Sequence, residues 1–295
     1  MSIHAFLEYI SYEKKYSPLT ITAYKNDLES FQQFCSDNFE DTNINSLPYG
    51  IIRSWIVSLV EGDISNRSIN RKVSSLKSYY NFLMKTKQIT QSPLRKHQPL
   101  KVAKRISVPF SEKEIQDVIH FFNLDNDFES IRNKLIIELF YSTGMRRAEL
   151  IGLKNNSFDF SQSIVKVLGK RNKERQIPLL NSVLKTIHSY QLQKATIHTA
   201  TDNFFITKKG KKLYPTLVYR IINDYFSKVS LKSKKSPHVI RHTFATHLLN
   251  EGADLNSVKE LLGHSSLAST QVYTHSNLKE LKKTYNNAHP RSTKN

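Results

Sequence analysis

Residues 236–275, SPHVIRHTFATHLLNEGADLNSVKELLGHSSLASTQVYTH, crowd together side chains able to act on a phosphate, among them His238, Arg241, His242, His264 and Tyr273. An arginine offers a planar fork that matches two phosphate oxygens, an imidazole adds an N–H donor, and a phenol is a nucleophile that can hold phosphorus covalently. A phosphate held among these groups accounts for their crowding better than a core does.

The elements that must position them are legible around them. Ser236 suits an N-cap and Pro237 the first helical position, so a helix is predicted here with His238 and Arg241 one turn apart on one face. Val239, Phe244, Leu248 and Leu249 are left for the core, and Gly252 ends the helix. Asp254 then caps a second helix carrying Leu255, Val258, Leu261 and Leu262, Gly263 closes it just before His264, and a third short helix carries Tyr273. A metal site is the first rival, because His238, His242 and His247 have helical spacing. No Glu follows as in H-E-x-x-H, and Arg241 would repel the cation. His242 is instead expected as a buried partner of backbone groups, and neither metal nor cofactor is predicted.

HVIRHTFATHLL, LLGHSS and TQVYTH resemble segments of the tyrosine recombinases, the phage-integrase-like family, and most closely its bacterial Xer-type members. The resemblance places the family's His-x-x-Arg on His238 and Arg241, its second histidine on His264 and its nucleophile on Tyr273. Upstream, STGMRRAELIGL resembles the motif of the first catalytic arginine, which falls on Arg146, with Glu149 at the supporting acidic position. Arg147 and Ala148 depart from that motif, where an aliphatic residue and a serine are usual. Residues 163–180 have β-branched residues on both sides of a polar turn, the pattern of a hairpin. Its tip, GKRNKER, resembles the family's GKGNKER and places the catalytic lysine on Lys170, with Arg171 replacing a glycine. As a plain surface turn, the same segment would offer Lys173 or Arg175 to DNA.

Residues 1–90 read as four helices. The last is opened by Ser65 and has Ile69, Val73, Leu76, Tyr80 and Leu83 facing inward, while Arg67, Arg71, Ser74 and Ser78 share another face that either follows a DNA backbone or is simply solvated. This region resembles the family's helical core-binding (SAM-like) domain. Residues 91–108 read as an extended basic linker, and 109–295 as the catalytic domain. There Ser111 with Glu114 forms a capping box, a helix begins near Ser130 and stops at Thr143-Gly144, and Asn203 to Thr207 reads as a strand. The expected fold is therefore mainly α with a small antiparallel β-sheet, in two domains that clamp DNA.

With 44 Lys and Arg against 25 Asp and Glu, the chain carries a net charge of +19. Residues 1–105 hold 15 basic and 9 acidic side chains, and 106–295 hold 29 and 16, so both halves are basic and a polyanionic partner is expected. Cys35 is the one cysteine, which excludes an intrachain disulfide and a cysteine-built zinc site and fits a reducing cytoplasm. MSIHAFLEYISYEKK does not read as a signal peptide, and no membrane insertion is expected.

The resemblance implies site-specific recombination of double-stranded DNA through a 3′-phosphotyrosyl intermediate, in chromosome dimer resolution at cell division. The alternatives are the integrase or invertase of a mobile element, a type IB topoisomerase-like swivelase, and a non-catalytic DNA-binding relative. The implied partners are a second recombinase subunit, in a tetramer on two sites, and a cell-division DNA translocase. The tail, residues 277–295, carries Leu278, Leu281 and Tyr285 at helical spacing; its resemblance to the Xer-type tail implies that it reaches a second subunit in the DNA-bound assembly, so that its removal would spare monomer folding, and the alternative is a helix folding back on its own domain.

Overall fold

The computed structural model describes residues 3–39, 43–103, 108–123, 127–169, 173–263 and 275–292, and the chain divides into two compact units, Met1–Arg105 and Ile106–Asn295. In the first, α1 (Ile3–Glu8) runs into a π-helical turn over Tyr9–Glu13, followed by α2 (Pro18–Phe39), α3 (Tyr49–Glu61) and α4 (Asn66–Lys85). Ser65 caps α4 by accepting from the Ser68 backbone N–H. The predicted stripe Ile69, Val73, Leu76, Tyr80 and Leu83 is buried, against a core that includes Trp55 packed on Phe31 with ring centroids 4.9 Å apart. A fully buried side chain of this kind contributes about 1.5–3 kcal/mol through the water it sheds.

The other face of α4 is neither bare nor uniform. Asp27 of α2, 1% exposed, accepts from Arg71 Nη2 at 2.9 Å and from Ser75 Oγ at 2.7 Å, so the buried carboxylate fixes the base of Arg71. Ser78 Oγ lies 3.3 Å from the Tyr24 hydroxyl, while Arg67 is exposed. The stretch expected to be an extended linker is tied down as far as Lys101. Asn70 donates to the Leu100 carbonyl at 2.8 Å and accepts its N–H at 2.9 Å, Asn66 holds the Lys101 carbonyl at 2.8 Å, and Leu94 enters the core.

The second unit is built round α6 (Phe128–Thr143), which is buried on every side along its second half. Asp127 caps it, so it starts two residues before Ser130. Before it comes α5 (Glu112–His120), with both hydrogen bonds of the Ser111–Glu114 capping box in place. The short α7 (Arg147–Gly152) leads into an antiparallel sheet ordered β1 (Phe158–Asp159), β2 (Ile164–Leu168), β3 (Glu174–Pro178). Helices α8 (Asn181–Ala195), α9 (Pro215–Ser227), α10 (Pro237–Asn250), α11 (Leu255–Leu262) and α12 (His275–Ala288) complete it.

The strand expected at Asn203 to Thr207 is corrected, and the tail takes its alternative place. Asn203 to Thr207 makes only isolated bridges, Lys154 with Asn203 and Ile206 with Lys212. Phe204, Phe205 and Ile206 are all buried, and the Tyr190 hydroxyl takes the Phe204 carbonyl (3.2 Å) and the Ile206 N–H (3.1 Å) that a ladder would have used. The tail, as far as Ser292, lies on its own unit. Leu281, Tyr285 and Ala288 are buried, Tyr285 donates to the Ser142 carbonyl at 2.8 Å, and His289 Nε2 donates to the Tyr141 carbonyl at 3.3 Å. The end of α6 leaves carbonyls without intrahelical partners, and α12 with the residue after it supplies donors to two of them.

Candidate active site

Two glycines set the geometry. Gly144 ends α6 at φ +58°, and a Cβ there would sit 2.3 Å from Phe244 Cδ1, so α10 approaches α6 as closely as only glycine allows. Gly263 ends α11 at φ +65°, with the Arg175 side chain where a Cβ would point, 3.1 Å from Cδ. These turns deliver two backbone corners to one place. Arg241, on α10, donates from Nη1 to the Gly144 carbonyl at 2.6 Å and from Nη2 to the Leu262 carbonyl at 2.8 Å. Arg146, just before α7, reaches the Gly263 carbonyl from Nη2 at 3.4 Å. Both guanidinium groups thus grip consecutive carbonyls at the end of α11.

Glu149 lies beneath them, its side chain 4% exposed. It accepts from the Arg146 backbone N–H at 2.6 Å and from Arg146 Nη1 at 2.8 Å, and on its other side from Arg175 at 3.0 Å (Nη1) and 2.8 Å (Nη2). Burial alone would raise this carboxyl, but the hydrogen bonds and charge of Arg175, with those of Arg146, overcome it and hold it at about 2. Arg241 is pushed down to about 10, first by burial and then by the charges of Arg146 and Arg175, with Glu149 opposing. It remains a cation at neutral pH, in a place that disfavours cations.

The structure brings Arg146, Arg241 and Glu149 together and leaves His238 exposed one turn before Arg241 on α10. Lys170, His264 and Tyr273 lie outside the described residues. The chain closes on either side of Lys170, where the Gly169 N–H donates to the Lys173 carbonyl at 2.7 Å, and Gly263 brings it to His264. Arg147 points elsewhere, to the Pro215 carbonyl at 3.4 Å.

Among the neighbouring histidines, His242 is exposed and His247 is the buried one, its Nδ1 2.9 Å from the Tyr141 hydroxyl. Burial lowers the His247 pKa. Arg175, offered by the sequence as a DNA contact, is 5% exposed and faces the core. The signal that could have found it is the alternation of β3. Arg175 pairs with Val167 and Ile177 with Val165, so an arginine stands on the apolar face and needs a buried partner.

Residues 109–280 match the phage integrase family, and residues 3–87 match its N-terminal SAM-like domain. The chain belongs to the phage integrase family. Its class of enzyme is the tyrosine-type site-specific DNA recombinase. The tyrosine recombinase XerC of Anoxybacillus flavithermus is 36% identical, over 99% of this chain and 98% of its own length. That of Bacillus pumilus is 37% identical, over 99% and 97%. Among solved structures, the XerH recombinase bound to its palindromic difH substrate in a post-cleavage complex superposes with a TM-score of 0.71 at 21% identity, covering 90% of this chain and 78% of that one. This last likeness is one of fold. Of the described residues, no helix is long and apolar enough to cross a membrane.

Proposed function

We propose that this recombinase resolves joined chromosomes by cutting and rejoining double-stranded DNA through Tyr273. The observation that supports the reading is the grip of Arg241 and Arg146 on the Leu262 and Gly263 carbonyls, which holds two arginines at the head of the segment bearing His264 and Tyr273. In the reaction the Tyr273 oxygen attacks phosphorus and loses its proton, with His238 assisting. The bond to the 5′-oxygen breaks, and Lys170 gives that oxygen a proton. Arg146 and Arg241 hold the non-bridging oxygens, and His238 and His264 add hydrogen bonds. A different 5′-hydroxyl attacking the 3′-phosphotyrosine reverses every step and exchanges the strands at nearly balanced free energy, without ATP.

XerC-like relatives that cover almost the whole chain support chromosome resolution over mobile-element integration or inversion. The same reading assigns a cytoplasmic location, a tetramer on two DNA sites with an identical or paralogous subunit, and control by a cell-division DNA translocase.

The test is to incubate the protein with a random-sequence duplex library, denature, and recover and sequence the DNA that stays covalently attached. Wild type should yield adducts sharing one half-site, and Tyr273→Phe should bind that half-site yet yield none. Adduct at the wild-type level from Tyr273→Phe would remove Tyr273 from its role.

A further inference from the structure

Arg175 is a buried charge on the apolar face of β3. It is 5% exposed, so it cannot reach a DNA backbone, yet three of its nitrogens are engaged within the group just described. Nη1 and Nη2 hold the two oxygens of Glu149, and Nε donates to the Leu261 carbonyl at 2.8 Å. Burying a guanidinium costs several kcal/mol unless its partners are well placed, and an apolar residue at this point of β3 would continue the face of Ile177. What the arginine does that an apolar residue cannot is tie three pieces of chain into one frame. These are the start of α7 with Arg146, through Glu149; the end of α11, through Leu261; and the foot of the β2–β3 turn. At that foot a Cβ on Gly169 would lie 3.6 Å from both Arg175 Nη1 and Glu149 Oε1. The family motifs place Arg146, His264 and Lys170 on those three pieces.

We propose that Arg175 is a positioning residue for the cleavage step: it holds Glu149 in register so that Arg146 is aimed, and it fixes the α11 corner from which the chain continues to His264. The inference rests on the proposed site. Loss of Arg175 leaves Glu149 a single arginine partner and leaves the Leu261 carbonyl without this donor. The substrate phosphate loses no direct contact. DNA affinity should therefore stand, while chemistry, which is sensitive to displacements on the order of 1 Å, should fall.

The probe is a nicked duplex carrying the half-site recovered by covalent trapping, and the readouts are half-site affinity, adduct rate and adduct amplitude in single turnover. For Arg175→Gln we expect affinity within about threefold of wild type and an adduct rate lower by on the order of 10²-fold at undiminished amplitude. A purely structural role would instead lower the amplitude, because fewer molecules would be folded, and leave the rate of the rest unchanged. Such a result overturns the proposal.

Arg175→Lys keeps the charge beside Glu149 but cannot reach Leu261 as well, so it should fall between the two. If Arg175→Gln does not fold, Arg175→Lys carries the same comparison. Combining Arg175→Gln with Glu149→Gln should cost little more than the worse single change, and losses that multiply would refute action through Glu149. If Arg146→Ala leaves the adduct rate intact, the site itself is misplaced and this inference falls with it. If Arg146→Ala abolishes cleavage while Arg175→Gln keeps the wild-type rate, the site stands and only the role of Arg175 is lost.

Discussion

Replacing Tyr285 tests whether the C-terminal helix belongs to its own catalytic unit or is on loan to a neighbour. The ring is fully buried, lies 5.2 Å from His289 between centroids, and gives its hydroxyl to the Ser142 carbonyl. Removing a buried aromatic side chain down to alanine costs about 3–5 kcal/mol. The unit Ile106–Asn295 is of a size for which 1 kcal/mol moves Tm by about 2–4 °C, so Tyr285→Ala should lower its transition by roughly 6–20 °C. Tyr285→Phe keeps the ring and strips the Ser142 carbonyl of its donor, which costs about 1–3 kcal/mol. Calorimetry on the full chain at two concentrations tenfold apart reads both values. A helix docked on its own unit gives the same Tm at each. If Tyr285→Ala melts within about 1 °C of wild type, or if the wild-type Tm climbs with concentration, α12 is not part of the unit's own core.

Arg146→Ala and Arg241→Ala should each lower the rate of adduct formation by about 10²–10³-fold, and Arg→Lys at either position should restore little because the fork is lost; rapid-quench adduct assays measure this. The Glu149 pKa is held below its unfolded value, so the stability it contributes is present above about pH 4.5 and is lost as pH falls towards 2. Chemical denaturation between pH 7 and 3 should therefore show Glu149→Gln less stable at neutral pH, by on the order of 3 kcal/mol, with a shallower decline in acid. A variant that follows the wild-type slope would show that the carboxylate is not paired in solution.

Local rules carried most of the fold. The stripe of α4, the Ser111–Glu114 box and the stops at Gly144 and Gly263 each depend on contacts within a few residues, and each stands where its spacing put it. What the sequence did not show depends on a distant partner. Whether His242 or His247 turns inward is decided by the Tyr141 hydroxyl on α6, which α10 meets only in the folded unit. Asn203 to Thr207 has the composition of a strand, yet Tyr190 occupies its hydrogen bonds from a helix. The tail alternates well enough to dock anywhere apolar. Its destination is set by unmatched carbonyls at the end of α6 and by Glu138, which accepts from Arg291 at 3.1 Å. For Arg175 the strand alternation was visible, but the partner that makes a buried arginine tolerable, Glu149, lies 26 residues away in sequence.

Three guanidinium groups, from Arg146, Arg175 and Arg241, surround the single carboxylate of Glu149, and the cost shows at Arg241, which burial and its two arginine neighbours push down to about 10. Such a group is over-supplied with positive charge when empty. In the proposed reaction a bound phosphodiester would bring one negative charge, and the pentavalent arrangement formed by attack of Tyr273 would concentrate more on the same non-bridging oxygens. On that proposal the balance improves from empty site to bound DNA and again from bound DNA to transition state. Binding that strengthens as the reaction proceeds is the condition for lowering its barrier. On the same proposal Glu149 sets that gradient: a second carboxylate would neutralise the site before DNA arrived, and none would leave Arg146 unaimed. Arg175, which holds the single carboxylate in place, would then join the stability of the fold to the chemistry of strand cleavage.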